Sequence, residues 1–98
     1  MGLEVNDMTP EKKHMGIVAE IGCVICRRDY GYVEYCEVHH IAEGSGVRSD
    51  FMTAGLCPRH HRTELHGGGI KAFLMRYKLP TEYHLMGLVN QYRIKDKV

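Results

Sequence analysis

The chain has 98 residues, 44% of them hydrophobic, with 13 Lys and Arg against 12 Asp and Glu for a formal net charge of +1. That length fits one domain and that apolar content excludes a disordered chain, while the near-balance of charge excludes a nucleic-acid binder that works by bulk positive charge, so any such contact has to be local. No apolar run approaches the roughly 18 residues of a membrane span and no signal-peptide core opens the chain, so the expectation is a soluble cytoplasmic domain whose thin core calls for a metal or disulfide staple.

Residues 1–8 read as a loose arm. Thr9 as N-cap and Pro10 at the first helical position open a helix whose apolar face is Met15, Ile17, Val18 and Ile21, and Gly22 stops it. A Cys23-Val24-Ile25-Cys26 knuckle follows, then a turn over Arg27 to Gly31 and a strand from about Tyr32 to Ile41. Residues 42–50 read as a Gly/Ser-rich loop, and a short strand from about Phe51 to Leu56 leads to Cys57. Pro58 opens a second helix to about His66, closed by Gly67-Gly68-Gly69. A third helix spans about Ile70 to Leu79 with Ile70, Phe73, Leu74 and Tyr77 on one face. Pro80 breaks it, and a fourth starts at Thr81-Glu82 with Leu85, Leu88, Val89 and Tyr92 turned to the core. The tyrosines read as core or interface residues, with no stacking platform legible.

The four cysteines are Cys23, Cys26, Cys36 and Cys57, and five of the seven histidines fall between positions 39 and 66. In a reducing compartment disulfides are disfavoured, and the βαβ context of a redox C-x-x-C is missing. Cys23-x2-Cys26 and Cys57-Pro58-Arg59-His60 together supply four soft or borderline ligands from two tight turns, which suits a tetrahedral structural Zn2+. Cys36 lacks a paired ligand nearby and reads as a small buried hydrophobe.

With His60 on the zinc, its neighbour His61 faces elsewhere, since adjacent helical residues differ by about 100°. His39 and His40 point to opposite faces of their strand. Such a set can serve phosphodiester hydrolysis, which needs a base for water, an in-line approach and charge relief on the leaving oxygen. Arg59 and Arg62, one turn apart, are either phosphate contacts or solvated surface charges, and the same holds for Arg27 and Arg28.

Cys23-x2-Cys26, Val38-His39-His40-Ile41, Leu56-Cys57-Pro58-Arg59-His60-His61 and His66 together resemble the HNH endonucleases, the ββα-metal or His-Me finger nucleases, in their zinc-stapled form. The Leu-Cys-Pro-x-His-His signature and the helical tail are similar to phage and prophage members, including RecA-dependent recombination nucleases. The resemblance implies an α+β fold: one HNH-type domain over 1–98, with a zinc and catalytic core at about 23–66, an N-terminal helix and a helical tail at about 70–93. It implies His40 as general base, and His39 and His61 as ligands of a catalytic Mg2+ or Mn2+. His66 is a third ligand or a phosphate contact, although its spacing of five from His61 would, on a regular helix, group it with Arg59 and Arg62. The family's middle Asn is missing from the stretch Asp50 to Gly55, which leaves Asp50 or Thr53 to hydrogen-bond the loop that aims the base. The implied activity is hydrolysis of DNA, nicking one strand per site to leave a 5′-phosphate and a 3′-hydroxyl, with a protein partner as a source of targeting and the state of assembly, monomer or homodimer, open. The alternative is a zinc-dependent module that binds nucleic acid or protein without cutting.

Overall fold

The computed structural model describes residues 8–41 and 48–96. Most of the expected N-terminal arm and of the Gly/Ser-rich loop therefore lies outside the described residues. Helix α1 runs Pro10–Ile21. The Lys12 N–H donates to Thr9 Oγ1 at 3.1 Å, so the cap is made as its sequence requires. Gly22 ends the helix at φ 82°, and a Cβ there would lie 2.6 Å from Glu34 O. Both the left-handed backbone and the close crossing of the 32–36 segment demand glycine at this position.

The knuckle does not give way to a turn. It continues as helix α2, Val24–Tyr30, closed by Gly31 in the left-handed region with its N–H donating to Arg27 O and Cys26 O. Arg27, read above as a turn residue that could meet DNA, instead forks onto Asp96 at 2.6 and 3.0 Å and lies over the Tyr92 ring, tying α2 to the C-terminal helix.

Strand β1 covers only Glu37–His40 and pairs antiparallel with β2, Thr53–Leu56, in the register Glu37 to Leu56 and His40 to Thr53. The longer strand expected from Tyr32 has no ladder partner among the described residues before Glu37, because β2 ends at Leu56 and the chain turns away through Cys57 and Pro58. β2 is buried throughout. At Gly55 an added Cβ would meet Gly22 O at 2.5 Å and Cys36 Sγ at 2.6 Å, so the loop after α1 and the buried Cys36 both rest on this strand.

Helix α3, Arg59–His66, has the wide i→i+5 winding of a π-helix, seen where Gly67 N–H donates back to Arg62 O. Helix α4 spans Ile70–Arg76, shorter than its apolar period predicts, because Lys78 at φ 58° reverses the chain. Phe73 and Tyr77 are buried as expected, whereas Ile70 is exposed. Helix α5, Tyr83–Asp96, buries Leu85, Val89 and Tyr92. It packs on α1, α2 and β2, while α4 covers α3. The whole is the α+β arrangement expected: two antiparallel strands and a helix, flanked by an N-terminal helix and a helical tail. Among the described residues no helix is long and apolar enough to cross a membrane.

Candidate metal centres and active site

Cys23 caps α2 and Cys26 lies in its first turn, while Cys57 and His60 lie at the entry to α3. The four side chains are buried, and their ligand atoms all fall within 4.8 Å of one another. His60 Nδ1 sits 3.1 Å from Cys57 Sγ, 3.3 Å from Cys23 Sγ and 3.7 Å from Cys26 Sγ, with 4.0 Å between the Cys26 and Cys57 sulfurs. A tetrahedral zinc with Zn–S near 2.3 Å has edges of roughly 3.5–3.8 Å, so the cluster has the size and the donors to bind zinc. Burial pushes the Cys26 thiol up to about 12 and raises that of Cys23 as well, so a cation is needed to hold thiolates here. Tyr77 stacks edge-on against the His60 ring, 5.2 Å between centroids, and its hydroxyl donates to Glu64. None of the four cysteines is in a disulfide, and Cys36 stays apart from the cluster, under α1.

A second group forms where β1 meets α3. Ligand atoms of His39, His61 and His66 also lie within 4.8 Å of one another, with His39 buried and His66 exposed. The π winding is what brings His66 in. With i→i+5 hydrogen bonds, residues five apart come one above the other, and the His61 and His66 rings lie 4.4 Å apart. The grouping of His66 with Arg59 and Arg62 that a regular helix would impose does not occur.

Each of the two inner rings is held from behind by a carboxylate. His39 Nε2–H donates to Glu82 Oε2 at 2.6 Å, and His61 Nδ1–H donates to Glu37 Oε1 at 2.9 Å. Arg62 in turn donates from Nε to Glu37 Oε1 at 3.1 Å. These partners set the tautomers, so His39 Nδ1 and His61 Nε2 both carry lone pairs. Those two atoms face each other at 3.2 Å. Two acceptors cannot hydrogen-bond each other, and the separation matches that of nitrogens about 2.1 Å from one shared ion. The donor set therefore fits a divalent cation with an open side at His66. Burial holds His39 below the usual imidazole range, against the opposing pull of Glu82, which keeps it neutral as a ligand must be. A cleft of about 680 Å³ opens on the cluster, lined by His39, His66, Glu82, Leu65, Leu74 and Lys71 among others.

His40 follows His39 in β1, and strand alternation puts it on the other face. Its Nε2 lies 2.8 Å from Asp50 Oδ1, and Arg48 Nη2 donates to its Nδ1 at 3.1 Å. Thr53 Oγ1 donates to Asp50 O at 3.1 Å, and Ile41 N–H donates to Met52 O at 2.8 Å. Asp50 and Thr53 thus hold the loop and the ring together, one at the imidazole and the other at the backbone. Arg59 and Arg62 are exposed, with Arg62 paired to Glu37 and Arg59 lying 3.8 Å from Glu64.

Glu37, Glu82 and Arg48 were not singled out from the sequence. Glu37 carries a signal, because it lies two residues before His39 and so on the same strand face. Glu82 carries none, since 43 residues separate it from His39.

The fold and its two clusters define a small metal-binding α+β protein, one centre buried and the other open on one side. Its sequence matches the family model described as recombination enhancement, RecA-dependent nuclease over residues 8–81, and the chain belongs to that family. No curated protein and no solved structure matches it significantly.

Proposed function

We propose that the chain is a metal-dependent endonuclease of the HNH type that hydrolyses DNA phosphodiester bonds, nicking one strand per site and leaving a 5′-phosphate and a 3′-hydroxyl. The observation that carries this is the facing pair of imidazole lone pairs, His39 Nδ1 and His61 Nε2, 3.2 Å apart with a carboxylate behind each ring. A structural scaffold needs the Cys3His cluster and has no use for this second set. For the same reason the non-catalytic alternative is the weaker reading, and the contacts of Asp50 and Thr53 hold the His40 loop without the family's middle Asn.

His39, His61 and His66 would hold a divalent cation, Mn2+ or Mg2+, which when bound relieves the negative charge of the scissile phosphate and the departing oxygen. An all-nitrogen donor set favours Mn2+, since Mg2+ prefers oxygen ligands. His40 acts as the general base. Asp50 holds its Nε2–H, so Nδ1 is the atom that takes the proton from water. Arg48 donates to that nitrogen, so a water can take the place only when Arg48 leaves it, and the guanidinium beside the base is suited to a phosphate. Arg59 and Arg62 contact flanking phosphates. Among the described residues no element presents an array for reading bases, which fits either low sequence specificity or targeting by a partner protein, and the RecA dependence in the family description supports the second.

The test is nicking of supercoiled plasmid in Mn2+ or Mg2+. His40→Ala should lower the rate by about 10²- to 10⁴-fold with zinc content and Mn2+ affinity unchanged, the range a positioned base supplies. Asp50→Asn should lower it by a smaller factor. Equal cutting by His40→Ala would remove the assignment of the base, and the lack of any divalent site beyond the zinc would remove the enzyme reading.

A further inference from the structure

The 30–36 segment carries three exposed tyrosines, Tyr30 at 61%, Tyr32 at 51% and Tyr35 at 72% accessible, with Val33 exposed between them. Three aromatic rings left this open within six residues are unusual on a folded surface. They are not on a floppy tether. Cys23 N–H donates to Glu34 O at 3.1 Å, Gly22 packs against the same carbonyl region, and Cys36 is buried beneath β2. The segment is therefore pinned in its middle to the knuckle and at its end to the core, while its rings stay in solvent.

Two cations border the row. Arg59 lies within electrostatic reach of Tyr30, and Arg62 within that of Tyr35. Arg62 grips Glu37, and Glu37 orients His61 of the open metal cluster. Tyr30 and Tyr32 lie together at the end of α2, and Arg62 connects the Tyr35 end of the segment, through Glu37, to the metal centre. Tyr30 and Tyr32 have centroids 5.9 Å apart with planes tilted by 50°, which leaves ring surface on each for a planar group to lie against.

We propose that Tyr30, Tyr32 and Tyr35 form a stacking track for a single-stranded stretch of DNA leading into the metal centre, with Arg59 and Arg62 on its phosphates. This rests on the nuclease reading for its substrate, although the binding it describes does not need cleavage. Unpaired bases offer flat faces that tyrosines can stack on whatever the sequence, and adjacent guanidiniums follow the backbone. Duplex DNA keeps its bases stacked inside and gains nothing from the rings. Glu34 lies within the row, so the surface is not strongly cationic and stacking has to carry the preference. That fits the net charge of +1.

The experiment uses full-length His40→Ala protein with no added divalent ion, titrated with a fluorescein-labelled oligo-dT and with a blunt duplex of equal length. Tight oligo-dT binding with quenching of tyrosine emission is expected, a clean signal because the chain has no tryptophan. Tyr32→Ala and Tyr35→Ala should each weaken oligo-dT binding about five-fold or more, and Tyr32→Phe and Tyr35→Phe should retain it, with duplex affinity unchanged in all. The proposal is overturned if the folded, zinc-loaded double alanine variant binds oligo-dT like its parent. It is equally overturned if alanine weakens duplex and oligo-dT alike, or if the alanines abolish self-association in sedimentation while oligo-dT binding stays intact. A wild-type chain that binds oligo-dT through the tyrosines and cuts nothing would defeat the nuclease reading and leave the track standing.

Discussion

His39 donates from Nε2 to Glu82 across 2.6 Å, joining β1 to the entry of α5 in the helical tail at a point where both side chains are nearly buried. The contact fixes which nitrogen of His39 is free for a metal, and so makes the tail part of the site. Glu82→Ala should leave the ring free to turn and to change tautomer. Partners of this kind are worth about 10- to 100-fold in metal affinity. Calorimetric titration with Mn2+ should show that loss while zinc content is unchanged; affinity equal to the parent would exclude this role for Glu82.

Removal of the Cys3His donors should act on folding as well as on activity. A structural zinc contributes on the order of 10 kcal/mol in small domains, comparable to the whole stability of a chain this size. Cys57→Ser, or a strong chelator, should abolish the cooperative unfolding transition followed by circular dichroism, with β2, α2 and α3 lost together because β2 ends beside a ligand and both helices begin at one. A soluble Cys57→Ser protein that melts like the parent would contradict the ligand set.

Acid should weaken the fold from the imidazole range downward. Burial holds His39 and His60 below their ordinary value, so the unfolded chain takes up those protons first. Stability is then full above about pH 6.5 and falls as the pH drops below it. The carboxylates add a second loss at lower pH. Asp29 is lowered by Arg28, Glu37 by Arg62 and then His61, and Asp96 by Arg27, so their contribution is present above the usual carboxylate range and disappears as each protonates. Urea unfolding at several pH values between about 2 and 8 should show this order, with nicking failing no later than the first loss. Stability that increases from pH 7 to pH 5 would be the opposite sign and would refute the account.

Gly55 should tolerate no side chain. Its Cβ would fall 2.5 Å from a backbone oxygen and 2.6 Å from Cys36 Sγ in a fully buried strand. Overpacking of this kind costs about 1–3 kcal/mol, or roughly 4–8 °C in Tm per kcal/mol for a chain of this length. Adding Cys36→Ala should recover only part of the loss, since the Gly22 carbonyl remains in the way. A Gly55→Ala protein melting with the parent would mean that the loop after α1 is free to move off β2.

What the residues alone determined was chemical and local. The two Cys-bearing turns, the His39-His40 pair and the caps at Thr9 and Gly22 are decided by side-chain type and short spacing, and such signals survive without any tertiary context. The fold class followed, because a strand, a strand and a helix hung on one zinc leave few alternatives. Only the folded chain decided where long-range partners meet. Arg27 left its turn for Asp96, the strand from Tyr32 shortened for want of a partner, and Glu82 came to His39 from 43 residues away. The wide winding of α3 converted a spacing of five from a mismatch into one turn, and so brought His66 to its two neighbours. Helical pitch and contacts across many residues are set by the packing of the whole, whereas the kind of atom offered to a metal is set by the residue itself.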